Sequence, residues 1–204
     1  MIAIIPARSG SKGLPNKNMM FFNGKPMIQA TIDAAKSSKF LDSVYVSTDD
    51  EAISDFSKTC GAESPFLRPK NLADDESLIN QTLKYMITKL ENEYSLKIDS
   101  VVLLQPTSPL RTSQDIDNAI TIFNQKSADS VISFVESDHP IAWNRKLDND
   151  NRVPMMKDEP FSNRQEHNST YHPNGAIYVL TKEMVMSDRV YSKNTFAYLM
   201  PRER

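Results

Sequence analysis

The chain is expected to fold as an α/β domain, on three observations. Short buried apolar runs alternate with stretches of helical period, the pattern of strands joined by crossover helices. Its 204 residues suit one domain with a sizeable core. Three of the apolar runs are followed at once by a polar cluster, as where strands end at a ligand-binding edge.

The elements follow in order. Ile2 to Ala7 is the first buried strand. Pro26 is expected as a first helical residue, ahead of Ile28, Ile32 and Ala35 at helical spacing. Val44-Tyr45-Val46 makes the second strand, and Ile53, Phe56 and Cys60 the next helical stripe. Ile79, Leu83, Met86 and Leu90 continue the helical period. Val101 to Leu104 is the third strand. Thr112 and Asp115 form a capping box for a helix carrying Ile116, Ala119, Ile120 and Phe123. Val131 to Val135 and Ala176 to Leu180 complete the strands.

Residues 138–172 break the pattern, being rich in Asn, Asp, Arg and Pro without a sustained period. Asp148-Asn149-Asp150-Asn151 suits a hairpin tip between Trp143–Leu147 and Arg152–Met156. So long an excursion is expected to be an arm for self-association or a lid.

Composition excludes several classes. Lys and Arg total 24 against 26 Asp and Glu, a net charge of −2 without a basic stripe, which argues against wholesale nucleic-acid binding. No apolar run approaches a membrane span, and Met1 to Pro6 is too short for a signal-peptide core. The single cysteine, Cys60, forms no internal disulfide, fits a reducing compartment, and suits a small helical core position.

The loop after the first strand carries the chemistry. Gly10 and Gly13 allow close backbone approach, and Arg8, Lys12 and Lys17 place three cations within ten residues. A triphosphate needs bare backbone donors together with cations as its α-phosphorus is attacked. Spacing excludes a Walker loop and the G-x-G-x-x-G dinucleotide fingerprint. The other clusters are Ser47-Thr48-Asp49-Asp50 and Gln105-Pro106-Thr107-Ser108-Pro109-Leu110-Arg111. For Asp49-Asp50 a helix N-cap is favoured over a metal pair.

Ile5-Pro6-Ala7-Arg8-Ser9-Gly10-Ser11-Lys12-Gly13, followed by Lys17-Asn18, resembles the opening motif of the acylneuraminate cytidylyltransferases, the CMP-sialic acid synthetases. The resemblance recurs at residues 47–50, at Phe66-Leu67-Arg68-Pro69, at 103–111, at Arg164-Gln165 and at Pro173-Asn174-Gly175-Ala176-Ile177-Tyr178. It implies a Rossmann-like three-layer α/β/α nucleotidyltransferase fold with a mostly parallel sheet and a protruding dimerisation arm at 138–172. It implies transfer of CMP from CTP to the anomeric hydroxyl of a nonulosonic acid, releasing pyrophosphate.

By the same resemblance Arg8, Lys12 and Lys17 would hold the triphosphate as catalytic cations. Ser9, Gly10, Asn18, Arg68 and Ser77 would join them around the nucleotide. Gln105, Arg164, Asn174 and Tyr178 would meet the sugar. Gln105 also suits a helix cap, Tyr178 a core aromatic and Arg164 a surface arginine. The resemblance further implies magnesium (or manganese), a homodimer and a cytoplasmic setting.

Four departures qualify the likeness. Relatives typically carry an Asp-x-Asp for the metal just beyond the position of Arg204, so the metal ligands and the C-terminal part of the domain are expected past this chain. Ser77 is followed by Leu78 and Ile79, where relatives often show adjacent hydroxyl residues. Ala142 stands where some relatives have lysine, which leaves the choice of sugar open. His172 stands where many have arginine, so it suits a sugar or phosphate contact, though an ordinary structural or surface histidine is favoured. The competing readings are a cytidylyltransferase for the eight-carbon sugar KDO and a noncatalytic nucleotide-binding module.

Overall fold

A computed structural model describes residues 1–10, 14, 16–74, 77–140, 143–153 and 168–204. Strand β1 spans Ile2–Pro6, and its Ala3, Ile4 and Ile5 are fully buried. A two-residue pair follows, β2 (Phe21–Phe22) against β3 (Lys25–Pro26), then helix α1 (Met27–Lys36). Pro26 is therefore the residue before the helix and not its first. Its ψ of 141° is extended and it pairs with Phe21. The fixed proline φ serves the cap as well as it would the first turn.

Next come β4 (Ser43–Ser47), α2 (Glu51–Thr59), α3 (Ile79–Tyr94) and β5 (Ser100–Leu104). Helix α4 (Ser113–Lys126), β6 (Ser130–Glu136), β7 (Tyr171–Thr181), α5 (Lys182–Met186) and β8 (Thr195–Leu199) complete the order. The six-stranded sheet runs β4-β1-β5-β7-β6-β8. β7 is antiparallel to both its neighbours while the other pairs are parallel, so one strand in six runs against the rest.

Side chains alternate across the sheet, as the strand period of two requires. Ala3, Ile5, Val44, Val46, Val102, Leu104 and Val179 face the layer of α1, α2 and α4. Ile4, Tyr45, Val101, Leu103 and Leu180 face α3 and the short α5. Fully burying an aliphatic side chain stabilises by about 1.5–3 kcal/mol, so these two faces supply the main favourable term. Cys60 is the C-cap of α2, partly buried against the first face. Among the described residues no helix is long and apolar enough to cross a membrane.

The capping box of α4 forms as expected and is the root of a larger cluster. Thr112 Oγ1 accepts from the Asp115 N–H at 3.3 Å, and Asp115 Oδ2 accepts from the Thr112 N–H at 2.9 Å and Oγ1 at 2.7 Å. Asp115 Oδ1 accepts from Tyr198 at 2.7 Å and from Arg204 Nη1 at 3.0 Å, tying the chain after β8 to α4. Burial pushes the Asp115 carboxyl up, but these donors and the Arg204 charge hold it below its ordinary 3.8. Its stabilisation is therefore present above pH 3.8 and lost as pH falls through the lower folded value. Asp115→Asn should cost about 2 kcal/mol at pH 7 and progressively less as pH falls below 3.8, measured by urea unfolding across that range.

The 138–172 excursion differs from expectation at its C-terminal end and in its first arm. β6 and β7 pair out to Glu136 and Tyr171, so His172 lies within the sheet. Trp143–Leu147 forms no strand, lacking a partner ladder among the described residues. The tip does turn: Asp148 accepts from the Asn151 N–H at 3.0 Å and donates its own to the Arg152 carbonyl at 3.1 Å. Residues 154–156 of the expected second arm lie outside the described residues.

Candidate functional site

The loop after β1 leads through α1 to β4 on one side of β1, whereas the loop after β5 leads through α4 to β6 on the other. Adjacent parallel strands whose connections diverge leave a crevice at their carboxyl ends. A cleft of about 230 Å³ opens there, lined by Pro6, Arg8, Lys17 and Asn18 from the first loop and by Gln105, Pro106 and Thr107 from the loop after β5. Its outer wall is the stretch before α3 and that helix's first turn, with Arg68, Leu72, Asp74, Ser77, Ile79 and Thr82.

The first loop is fastened from several sides. Arg8 Nη1 donates to the Asp74 carbonyl at 2.6 Å, crossing the mouth of the cleft. Asn18, buried, donates its amide to the Arg8 carbonyl at 3.0 Å. Asp49 accepts from both the N–H and the hydroxyl of Ser9, while Asp50 caps α2 through the Ile53 N–H. The expectation of an N-cap thus holds for Asp50, and Asp49 has a separate partner.

Arg68 is 5% exposed, in the wall of the cleft. Nη1 donates to Thr82 Oγ1 at 3.0 Å, and Nε has no partner among the described residues. Burial pulls its pKa down; Asp49 opposes this and Arg8 adds to it. Two neighbouring cations in a partly desolvated cleft suit an anion, which would relieve both the repulsion and the missing hydrogen bond.

On the other side Gln105 Oε1 packs against Gly175, 3.3 Å from where a Cβ there would sit. Gly175 has φ +77°, within a bulge in which Asn174 to Ile177 of β7 oppose Ser133 of β6. Ser133 bridges the gap, donating to Asn174 Oδ1 at 2.6 Å and accepting from the Ile177 N–H at 2.8 Å. Arg111, 3% exposed, donates Nη1 to the carbonyls of Gln105 at 3.1 Å and Ala176 at 2.7 Å. It ties the loop after β5 to the bulge from below.

Of the expected site residues, Arg8, Lys17, Asn18, Arg68, Ser77 and Gln105 line one cleft. Ser9 and Gly10 continue its first loop. Ser77 donates to Asp74 Oδ1 at 2.5 Å and to the Asn71 carbonyl at 3.0 Å. Asn174 and Tyr178 do not line this cleft. Asn174 serves the bulge, and Tyr178, half-buried with its pKa raised by burial and by Tyr191, packs on the α3 face. Lys12 and Arg164 lie outside the described residues. The sequence reading missed Leu72, Asp74, Ile79 and Thr82, which no local motif marks; the exposed apolar Leu78-Ile79 beside Ser77 was the available signal.

Magnesium finds no ready cluster. Among the described residues no group of three or more His, Cys, Asp or Glu could hold a metal ion, and Asp49 has both oxygens on Ser9. These residues do not fit a metal site by themselves.

Comparison with known proteins agrees with the geometry. The sequence model of a family described as cytidylyltransferase matches residues 2–197. The chain is 38% identical over 206 residues to an N-acylneuraminate cytidylyltransferase of Streptococcus agalactiae serotype V, covering 99% of this chain and 48% of that protein. It therefore spans about half the length of that curated relative. It is 36% identical to a CMP-N,N'-diacetyllegionaminic acid synthase of Legionella pneumophila, covering 98% of this chain and 86% of the relative. A solved CMP:2-keto-3-deoxy-manno-octonic acid synthetase in complex with CTP superposes with a TM-score of 0.69, covering 98% and 90% of the two chains at 18% identity. That likeness shows the fold.

Proposed function

This chain belongs to the cytidylyltransferase family, and from that premise we propose that it transfers CMP from CTP to the anomeric hydroxyl of a nonulosonic acid, releasing pyrophosphate. The observation that carries the reading is the cation-lined cleft at the sheet's switch point, where Arg8, Lys17 and Arg68 converge. The curated relatives' names, one for an N-acylneuraminate and one for a diacetyllegionaminate enzyme, support a nine-carbon acid over KDO.

Arg8, Lys17 and Arg68 would hold the triphosphate and offset the charge that grows on the phosphoryl oxygens. Ser9, Gly10 and Asn18 would shape the backbone beneath it, and Ser77 and Thr82 would face the nucleoside. Gln105, backed by Gly175, would orient the sugar for in-line attack. The sugar oxygen loses its proton as it bonds to the α-phosphorus, and the bond to the bridging oxygen breaks to free pyrophosphate. Lys12 joins the phosphate ligands in this proposal, and Arg164, Asn174 and Tyr178 the sugar end. Magnesium belongs to it as the ion that would accompany CTP, with no step assigned to it. The proposal also includes a cytoplasmic setting, which the single Cys60 supports, and a homodimer formed through 138–172.

The test is pyrophosphate release from CTP and magnesium with a panel of N-acetylneuraminic, legionaminic and pseudaminic acids and KDO. Turnover with one nine-carbon acid is expected. Turnover on KDO alone would replace the sugar, and CTP binding without any turnover would mark a noncatalytic nucleotide-binding protein. A single monomer-sized species by light scattering would remove the homodimer.

A further inference from the structure

The segment Thr48-Asp49-Asp50, just past β4, holds three separate pieces of the molecule. The Thr48 carbonyl accepts from the Arg68 N–H at 2.7 Å, and Asp50 caps α2. Asp49, between them, spends both carboxylate oxygens on a residue 40 positions earlier. Oδ1 accepts from the Ser9 N–H at 3.0 Å and Oδ2 from the Ser9 hydroxyl at 2.7 Å. Burial pushes the Asp49 carboxyl up, but the two Ser9 bonds, its own N–H and the Arg68 charge outweigh this, so it stays ionised at neutral pH.

A negative charge beside an anion site is, on electrostatics alone, a disadvantage, since it repels the incoming phosphates. Its presence calls for a compensating role, and the geometry supplies one. Ser9 stands between Arg8 and Gly10, so a two-point grip on Ser9 fixes the peptide planes on either side. The same carboxylate lies in the field of Arg68 and offsets the effect of Arg8 on that guanidinium.

Resting on the nucleotide-binding reading of the cleft, we propose that Asp49 is a positioning residue for CTP. It acts through Ser9, accepting from its N–H and its hydroxyl, to hold the phosphate loop. It touches no reacting atom.

Asp49→Ala should raise KM for CTP about 30-fold, with kcat and the sugar KM nearly unchanged, since uniform binding is what is lost. Asp49→Asn should stay within about threefold of wild type, because its oxygen still accepts from the Ser9 N–H and its amide can donate to the Ser9 hydroxyl. Ser9→Ala should raise KM for CTP, and Ser9→Ala/Asp49→Ala should be no worse than Asp49→Ala alone, as expected of two residues acting as one unit. A merely structural role would instead lower the active fraction and melting temperature while leaving KM for CTP in place. An Asp49→Ala protein that keeps wild-type KM, or a double variant whose losses multiply, overturns the proposal. Calorimetric CTP binding to the same variants keeps the test separate from catalysis. If wild type binds CTP but turns over no sugar, the function above fails while the Asp49 comparison still reads out. Should Asp49→Ala fail to fold, Ser9→Ala and Asp49→Asn decide: equal CTP affinity of Ser9→Ala and wild type would sink the idea.

Discussion

Arg68→Met is expected to weaken CTP binding about 100-fold while leaving the unliganded protein as stable as wild type, or slightly more so. Arg68 is 5% exposed, with one side-chain hydrogen bond to Thr82 and an Nε that lacks a partner among the described residues. Burial lowers its pKa, Asp49 props it up and Arg8 pushes it down again. An under-satisfied buried cation beside a second cation is a standing cost to the fold. Methionine keeps the stem's packing and removes both penalties.

A bound phosphate reverses the sign. It would supply the missing acceptor and the opposite charge together, and losing such a charge-assisted contact costs about 2–5 kcal/mol. About 2.8 kcal/mol corresponds to a hundredfold in affinity. Thermal melting with and without CTP, alongside calorimetry, reads both halves. Arg68→Lys should recover part of the affinity, since it restores the charge without the planar fork. Unchanged CTP affinity with a fallen melting temperature would show that Arg68 is structural.

Much of this was legible because its signals are local. Buried runs such as Val101 to Leu104 announce strands, and Thr112 with Asp115 announces the start of α4, through residues three apart. Polar clusters directly after strands marked the cleft's two inner walls at Arg8 and Gln105. What escaped depended on partners distant in sequence. β8 has only Tyr198 buried among its five residues, so an edge strand showed no apolar alternation. The reversed direction of β7 leaves no trace in its composition. Asp115, expected only as half of a capping box, also serves Tyr198, 83 positions away, and Arg204. Arg111 was visible as the last residue of a cation-bearing loop, yet its guanidinium points into the core and not into the cleft.

Arg111→Met is expected to destabilise the protein by about 2–4 kcal/mol and to disturb the Gln105 end of the cleft, proposed for the sugar, more than the Arg8 end, proposed for CTP. The guanidinium Nη1 donates to both the Gln105 and the Ala176 carbonyls. Burial draws its pKa down to about 10, with Asp115 opposing, so it remains charged at neutral pH. Methionine would leave the Ala176 carbonyl without this donor, at about 1–3 kcal/mol, and the Gln105 carbonyl with the Ser108 N–H at 3.4 Å, at about 1–2 kcal/mol more. Part of that is offset, because Nε and Nη2 of Arg111 have no partners among the described residues and their cost disappears too. A net loss near 3 kcal/mol corresponds to a fall of about 10 °C in melting temperature for a chain of this size. The local effect follows the same bonds. Without the tie, the bulge that holds Gly175 at φ +77° and the loop that ends β5 can shift relative to one another, and Gln105 packs against that glycine. The sugar KM should therefore rise by about tenfold while KM for CTP changes little, because the phosphate loop hangs from Asp49 and Asn18 instead. Arg111→Lys, whose stem is one bond too short to bring its ammonium to where Nη1 meets both carbonyls, should fall between. Equal rises in both KM values would mean that Arg111 supports the whole sheet edge and not the sugar side of it.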